Sequence, residues 1–244
     1  MSIQKTLPRA ELAERSELII VVGGDGTLLE TARTVAEYRR PMLGINMGRL
    51  GFLTDVSPDE ISEQLDHVLS GNYYDERRAM LYASISREGK TIAESYALND
   101  VVLHVRDAVR MIEFDTTING QFVHQQRADG LVVSTPTGST AYALSSGGPI
   151  VHPELDAVLL VPICPHTLSN RPIVVSGDSE IVVRLTPTNR AQAQLSYDGQ
   201  WNIDLEAEDI ITIQKRTHAL HLIHPPGYDY YEILRKKLHW SELP

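Results

Sequence analysis

Four short stretches of the chain carry residue types and spacings that could do chemistry. The first is Gly23-Gly24-Asp25-Gly26-Thr27, between a short apolar run and a segment of helical periodicity. Glycines let the backbone approach a ligand closely, and the free N–H groups of a helix N-terminus favour phosphate. A carboxylate in such a turn could hold Mg²⁺ or accept a proton from a hydroxyl group. The alternative is that Asp25 only caps the helix, because aspartate is a preferred N-cap residue.

The other three stretches are rich in small polar residues. Asn99-Asp100 precedes a predicted strand, and an amide beside a carboxylate suits two ribose hydroxyls, although this pair is also common in turns. The run from Arg127 to Pro149 brings many Ser, Thr and Gly residues together, with a short helix expected over Ser139–Ser145. Asp198-Gly199-Gln200 is either a binding loop or a plain hairpin turn.

The elements that must position these residues begin with an alternation of strand and helix. Leu18–Val22 and Pro41–Met47 have the composition of short strands, while Thr27–Tyr38 and Glu60–Leu69 carry apolar residues at helical spacing. Such an alternation predicts a parallel sheet with helices packed on it. An α/β domain carrying the glycine loop is therefore predicted over residues 1–72.

After about Tyr73 the pattern changes to short strands separated by turn signals. Gly89, Asn119-Gly120 and Asp198-Gly199 favour tight antiparallel hairpins. A β-rich, sandwich-like domain is predicted over residues 73–227, and a helix over 228–240 is expected to pack back on the first domain. The strands predicted in this region are Val101–Val105, Met111–Ile118, Leu131–Ser134, Val158–Val161, Ile181–Leu185 and Ile210–Ile213.

Composition and charge narrow the classes of function. The net charge of −10 disfavours a general nucleic-acid binder, because an acidic chain repels a phosphate backbone. The longest apolar runs fall short of the roughly 20 residues that span a bilayer, and the polar segment Met1–Ser16 predicts no signal peptide. The single cysteine, Cys164, cannot form an intrachain disulfide, so a reducing cytoplasm is expected. It ends an apolar run and is predicted to be a small buried hydrophobe.

Together these residues resemble the NAD kinase family of the bacterial type, from about Glu17 to Trp240. The glycine loop alone also occurs in phosphofructokinases and in diacylglycerol and sphingosine-type lipid kinases, whereas the long central run is typical of NAD kinases. The resemblance rests on Gly23-Gly24-Asp25-Gly26, Asn99-Asp100, the run Arg127-x-Asp129-Gly130 … Thr135-Pro-Thr-Gly-Ser-Thr-Ala-Tyr142 … Gly147-Gly148-Pro149, and Pro165-His166-Thr167-Leu168 followed by Arg171-Pro172.

This resemblance implies ATP-dependent phosphorylation of the adenosine ribose 2′-hydroxyl of NAD to give NADP, with Asp25 as general base. It also implies a divalent metal, Mg²⁺, bound with ATP, and a homo-oligomer, a tetramer. Charge, cysteine count and apolar-run length, as given above, predict a cytoplasmic protein without nucleic-acid or membrane partners. His166 and Arg171 are interpreted as structural, and metal ligands stay unknown. The dinucleotide-binding residues that the resemblance implies are Asp25, Gly26, Asn99, Asp100, Arg110, Arg127, Asp129, Thr140, Ala141, Tyr142, Ala143, Leu144, Ser145 and Gln200.

Two features depart from the family pattern, and two other functions stay open. Asp100 stands where the family often has glutamate, and only Met1–Ser16 precede the first strand, where the family has a further strand and helix. The α/β domain is therefore expected to be curtailed, and NADP binding to be better than turnover suggests.

The alternatives are a lipid or sugar kinase that shares only the glycine-loop fold, and a non-catalytic NAD(P)-binding module. A coupled assay with NAD and ATP separates all three.

Overall fold

The computed structural model describes residues 6–48, 51–54, 56–106, 110–167 and 169–240. The chain forms two compact units, Met1–Arg77 with Leu220–Pro244, and Arg78–Ala219. Leu168, part of one motif used in the sequence comparison, and the first five residues of the N-terminal segment lie outside the described residues. None of the helices in the described part of the chain has the length and apolarity needed to cross a bilayer.

Short helices and many short strands make up the described residues. The helices are α1 Arg9–Arg15, α2 Asp25–Val35, α3 Ile61–Leu69, α4 Tyr142–Ser145 and α5 Tyr230–Leu238, with 3₁₀ turns over Ala36–Tyr38, Pro58–Glu60 and Thr137–Thr140. The strands are β1 Ile19–Gly23, β2 Met42–Asn46, β3 Tyr74–Arg78, β4 Leu81–Arg87, β5 Lys90–Ala97, β6 Asp100–Val105, β7 Ile112–Ile118, β8 Gln121–Ala128, β9 Gly130–Ser134, β10 Ala157–Ile163, β11 Ile173–Ser176, β12 Ile181–Leu185, β13 Ala193–Tyr197, β14 Trp201–Leu205, β15 Ile210–Lys215 and β16 Leu220–His224.

The first unit is built on a four-stranded sheet with the order β1-β2-β16-β3. Strands β1 and β2 are parallel, and β16 also pairs with β2 in parallel. Helix α2 buries Leu28, Ala32 and Val35, which recur at the spacing that predicted the helix. Because β1 leads directly into α2, the glycine loop lies at the carboxyl end of a parallel strand, where α/β proteins commonly bind ligands.

Two six-stranded antiparallel sheets form the second unit. Their orders are β11-β10-β9-β6-β13-β14 and β5-β4-β15-β12-β7-β8. Buried residues of both sheets, such as Leu103 and Leu131 of the first and Phe114 and Ile213 of the second, share one apolar core. The α/β part followed by a β-rich sandwich is the fold class that the sequence predicted.

Two predicted hairpin turns are confirmed by their backbone angles. Asn119 and Gly120 have φ values of 51° and 74° and join β7 to β8, while Asp198 and Gly199 have 51° and 65° and join β13 to β14. Asparagine, aspartate and glycine tolerate positive φ better than other residues, so the dipeptides specify these turns. The second turn also carries a side chain that contributes to the cavity described below.

Candidate functional site

Asp25 begins α2, but its carboxylate bonds to a distant loop and makes no bond to its own helix. Oδ2 accepts the N–H of Phe52 at 2.8 Å. Oδ1 accepts the N–H of Leu53 at 3.1 Å and the hydroxyl of Thr54 at 3.0 Å. The N-cap residue is Gly24, and no side chain caps the helix. The alternative in which Asp25 only caps its helix is therefore wrong.

The loop that holds the carboxylate is itself fixed to the end of β2. The side-chain amide of Asn46 donates to the carbonyl oxygen of Thr54 at 3.1 Å and to its hydroxyl at 3.2 Å, and Asn46 Oδ1 accepts the N–H of Gly48 at 2.7 Å. Gly51 packs so closely that a Cβ there would lie 2.0 Å from Oδ1 of Asp25 and 2.5 Å from Oγ1 of Thr54. Sequence reasoning missed both Asn46 and Gly51 as parts of this arrangement.

These contacts fix the carboxylate of Asp25 in one orientation. Among the described residues, Oδ1 receives two donors and Oδ2 receives one, and an ionised carboxylate can accept about four hydrogen bonds. The side chain is half-buried rather than enclosed. A carboxylate held in this way can accept a hydroxyl proton or coordinate a cation without first having to be ordered.

A methyl group at position 51 should misplace this carboxylate. In Gly51→Ala the new Cβ overlaps Oδ1 of Asp25, so the acid or the loop must move, and a displacement of about 1 Å can cost roughly 10²-fold in rate. Gly48→Ala is the matched control in the same loop, because its Cβ would meet nothing closer than 3.9 Å. Turnover should fall in the first variant and stay near wild type in the second. Equal turnover in the two variants would contradict this geometry.

A cavity of about 670 Å³ lies in the second unit, along β6 and beside the ends of β10 and β13. Its walls combine apolar side chains with a few acids and amides, the composition expected of a small-molecule site. The lining residues are Asn99, Asp100, Val102, His104, Val105, Asp129, Ala141, Tyr142, Ile163, Cys164, Ser196, Asp198, Gly199 and Asn202.

Asp100 is the most informative residue of this cavity. The residue is only 4% exposed, and no hydrogen bond to its carboxyl group is found among the residues that the structure describes. Burial raises the pKa of Asp100 to about 7, and the negative charge of Asp198 acts in the same direction. The neighbouring side-chain amide of Asn99 likewise has no partner within the described residues. Buried polar groups are normally paired, so this wall is suited to a ligand that supplies hydroxyl or amine groups.

Asp198 positions the Asn99–Asp100 pair from the tight turn between β13 and β14. Its carboxylate accepts the backbone N–H groups of Leu98 at 3.1 Å, Asn99 at 2.8 Å and Asp100 at 3.2 Å. These three bonds hold the start of β6 in place. Sequence reasoning named this turn as a candidate but did not assign a role to the aspartate.

Two hydroxyl groups at the start of the hydroxyl-rich central run bond to backbone carbonyl oxygens just before β6. Ser134 Oγ donates to the carbonyl oxygen of Asn99 at 3.2 Å, and Thr135 Oγ1 donates to that of Leu98 at 2.6 Å. A Cβ on Gly138 would lie 2.2 Å from the same Asn99 oxygen, so the 3₁₀ turn that contains Gly138 packs against the backbone of Asn99. These hydroxyl groups therefore hold the backbone that carries the Asn99–Asp100 pair.

The short helix expected over Ser139–Ser145 is divided into two pieces. A 3₁₀ turn ends at Thr140, and α4 starts at Tyr142, because Ala141 has non-helical angles with φ −102° and ψ −127°. Ala141 and Tyr142 line the cavity, whereas Ala143 is buried in an apolar cluster. The break places the two lining residues side by side at the wall.

Several residues that the family resemblance implies lie away from this cavity. Arg110 is exposed and donates to the carbonyl oxygen of Arg190, and Arg127 is exposed and forms an ion pair with Glu113 at 3.1 Å. The remaining ones that do not line the cavity are Thr140, Ala143, Leu144, Ser145 and Gln200, while Asp25 and Gly26 belong to the first unit. Their ligand contacts stay predictions.

The interpretation of Cys164 as a buried hydrophobe is wrong. Strand β10 ends at Ile163, and Cys164 follows it with a φ of 44° and an exposed side chain. The apolar run that suggested burial includes the strand itself, and hydrophobicity does not show where the chain leaves the sheet. Cys164 thus belongs to the wall of the cavity.

Comparisons with known proteins agree over almost the whole chain. The model of the ATP-NAD kinase N-terminal domain matches residues 4–73, and that of the ATP-NAD kinase C-terminal domain matches residues 98–225. The chain is 53% identical over 235 residues to the NAD kinase of Alcanivorax borkumensis, covering 96% of this chain and 78% of that protein. It is 52% identical to the NAD kinase of Pseudomonas putida, with coverage of 97% and 80%.

Two solved structures of NAD or NADH kinases also superpose on most of this chain. The yeast NADH kinase complexed with NADH superposes with a TM-score of 0.90 at 29% identity, covering 97% of this chain and 70% of that one. An NAD kinase from Archaeoglobus fulgidus in complex with ATP superposes with a TM-score of 0.74 at 31% identity, covering 93% and 83%.

Proposed function

This chain belongs to the NAD kinase family and is an ATP-dependent kinase of NAD, and we propose that Asp25 is its general base, acting on the 2′-hydroxyl of the adenosine ribose. A ribose hydroxyl is a poor nucleophile while it keeps its proton. A fixed carboxylate within hydrogen-bond reach orients the hydroxyl and takes the proton as the new P–O bond forms. The three donors on Asp25 support this role, because they orient the acid before the substrate arrives.

The cavity of the second unit is proposed to bind the adenosine part of the dinucleotide. The single observation that carries this assignment is the buried, unpartnered carboxyl of Asp100 beside the amide of Asn99. Ribose hydroxyls and the adenine amino group can donate to these oxygens. Asp198 acts as a positioning residue, since it bonds to the backbone of the pair and leaves the two side chains for the ligand.

Asn99→Ala tests the assignment of this cavity. Removal of the amide leaves a ligand group unpaired and should cost about 1–3 kcal/mol of affinity for NADP. Asn72→Ala serves as the matched control, because Asn72 is exposed and lies outside the cavity. Calorimetry on both variants measures the difference. Affinities within a factor of two of wild type for Asn99→Ala would remove Asn99 from the site.

The divalent cation is proposed to enter with the nucleotide as the substrate Mg·ATP. Within the described residues, no group of three or more His, Cys, Asp or Glu side chains is arranged to hold a metal ion. Mg²⁺ commonly binds through one or two carboxylates together with substrate phosphates and water. An ion held mainly by the triphosphate is compatible with this chain, and Asp25 is a suitable additional oxygen ligand.

Three further features complete the proposal. NADP is the product, and the binding site should therefore also hold NADP. The protein is proposed to act in the cytoplasm, and its single cysteine, a free thiol, supports this proposal. It is proposed to be a homo-oligomer, a tetramer by family resemblance. Phe122 and Val123, which are exposed on the sheet-edge strand β8, support a contact between copies.

A further inference from the structure

We propose that Cys164 is a modification site in the wall of the cavity, where a group attached to its sulfur excludes the dinucleotide and bound dinucleotide shields the sulfur. The proposal rests on the function proposed above, because it takes the same cavity as the dinucleotide site. It assigns a role to a residue that the phosphoryl transfer itself does not use. The class of modifying reagent is a thiol-reactive electrophile or a low-molecular-weight disulfide.

The location of Cys164 carries the first part of the argument. The residue is the chain's single cysteine, its side chain is exposed, and it lines the cavity immediately after β10. A reagent in solvent can therefore reach the sulfur without any opening of the core. Any group added to the sulfur lies at the wall of the cavity that the dinucleotide must enter.

The second part is independent of the cysteine and indicates that the cavity takes a ligand. Asp100 lines the same cavity, the residue is only 4% exposed, and no hydrogen bond to its carboxyl group is found within the described residues. A buried polar group without a partner is costly unless a ligand or water supplies the missing bond. Occupancy of the cavity should therefore change the access of reagents to Cys164.

Backbone hydrogen bonds fix the chain immediately before Cys164, so the Cα of this residue stays at the wall of the cavity. Ile163, the preceding residue, accepts the N–H of Asp129 at 3.0 Å, and Asp129 in turn accepts the N–H of Val105 at 2.8 Å. Cys164 itself has a φ of 44°, which is uncommon for a residue with a Cβ. A glycine would avoid this strain, but it would also remove the sulfur from the wall.

The modification is a simple displacement or addition. With a low-molecular-weight disulfide, the thiolate of Cys164 attacks one sulfur, a new S–S bond forms, the old S–S bond breaks, and the other half leaves as a thiolate that takes up a proton. With N-ethylmaleimide, the thiolate adds to the C=C bond, a C–S bond forms, and the neighbouring carbon takes a proton from water. Neither reaction needs a further oxidant or reductant.

Labelling of the full chain with N-ethylmaleimide, followed by intact mass, tests the proposal. The rate is measured with and without NADP at about 100 times its Kd, where nearly all sites are filled and labelling should slow by at least tenfold. The labelled protein is then titrated with NADP, and its affinity should fall by at least about tenfold, or roughly 1.4 kcal/mol. Cys164→Ser is treated in parallel, and its treated and untreated samples should bind NADP alike.

Three outcomes would overturn the inference. Cys164 could fail to label in the native protein, it could label at the same rate with NADP present, or the labelled protein could bind NADP as tightly as the unlabelled one. Titration of unlabelled protein with NADP distinguishes failure of the Cys164 inference from failure of the proposed function. If unlabelled protein binds NADP and Asn99→Ala weakens that binding, only the inference about Cys164 fails. If unlabelled protein does not bind NADP, both fail.

Discussion

Replacing Asp25 with asparagine should lower turnover by about 10²–10⁴-fold while changing the affinity for NADP far less. The amide cannot accept the hydroxyl proton, yet it keeps the size of the side chain. Turnover, NADP affinity and melting temperature are measured on one preparation. A variant that keeps more than about a tenth of the wild-type rate would fall outside the range of general-base effects, and Asp25 would then not be the base.

A structural role for Asp25 has to be separated from a chemical one. The carboxylate accepts three hydrogen bonds from the loop at residues 52–54, and an amide nitrogen at position 25 would face some of those donors. Thr54→Val is the matched control, since it removes one donor to the same carboxylate and leaves the acid. If the loop contact alone mattered, both variants would lose stability and rate to similar extents. The general-base role predicts a large rate loss in Asp25→Asn only.

Asp100→Asn should remove a pH dependence of stability that the wild type shows between about pH 4 and pH 7. The pKa of Asp100 is raised from 3.8 to about 7 by burial first and by Asp198 second. Between those values the folded state holds a proton that the unfolded state has lost, so stability falls as pH rises through this window and is constant above it. Each pH unit in the window corresponds to about 1.4 kcal/mol. The variant should therefore gain most over wild type above pH 7.

Urea unfolding at pH 5, 6, 7 and 8 measures this difference. Asp66→Asn is the control, because Asp66 is exposed on α3 and has no place in the cavity. The difference in free energy of unfolding between Asp100→Asn and wild type should grow with pH and then level off. A difference that stays constant over the four pH values would contradict the burial of an unpaired carboxyl at Asp100.

The local sequence pattern was sufficient to predict the strands, helices and turns that carry the site residues. The β-branched run before the glycine loop and the apolar spacing after it predicted β1 and α2, because strand and helix periodicities differ. The dipeptides Asn119-Gly120 and Asp198-Gly199 predicted their turns, since positive φ is restricted to few residue types. In each case the physical cause lies within a few residues of the element.

Contacts between distant parts of the chain were not predictable in the same way. The loop that holds Asp25 lies 27 to 29 residues further along, and local periodicity does not report such a closure. A signal was present in Gly48 and Gly51, which follow a predicted strand much as the first glycine loop does. Likewise, the bonds from Asp198 to the start of β6 span about 100 residues. Both are tertiary contacts that composition leaves unspecified.

Formation of NADP from NAD and Mg·ATP, followed with an NADP-specific dehydrogenase, shows whether this chain is an NAD kinase. The wild-type chain is assayed with both substrates, with each omitted in turn, and after removal of divalent cations. NADP should form only when NAD, ATP and the cation are present together. Tight binding of NADP with no turnover under saturating NAD and Mg·ATP would contradict it, and would identify the chain as a dinucleotide-binding module.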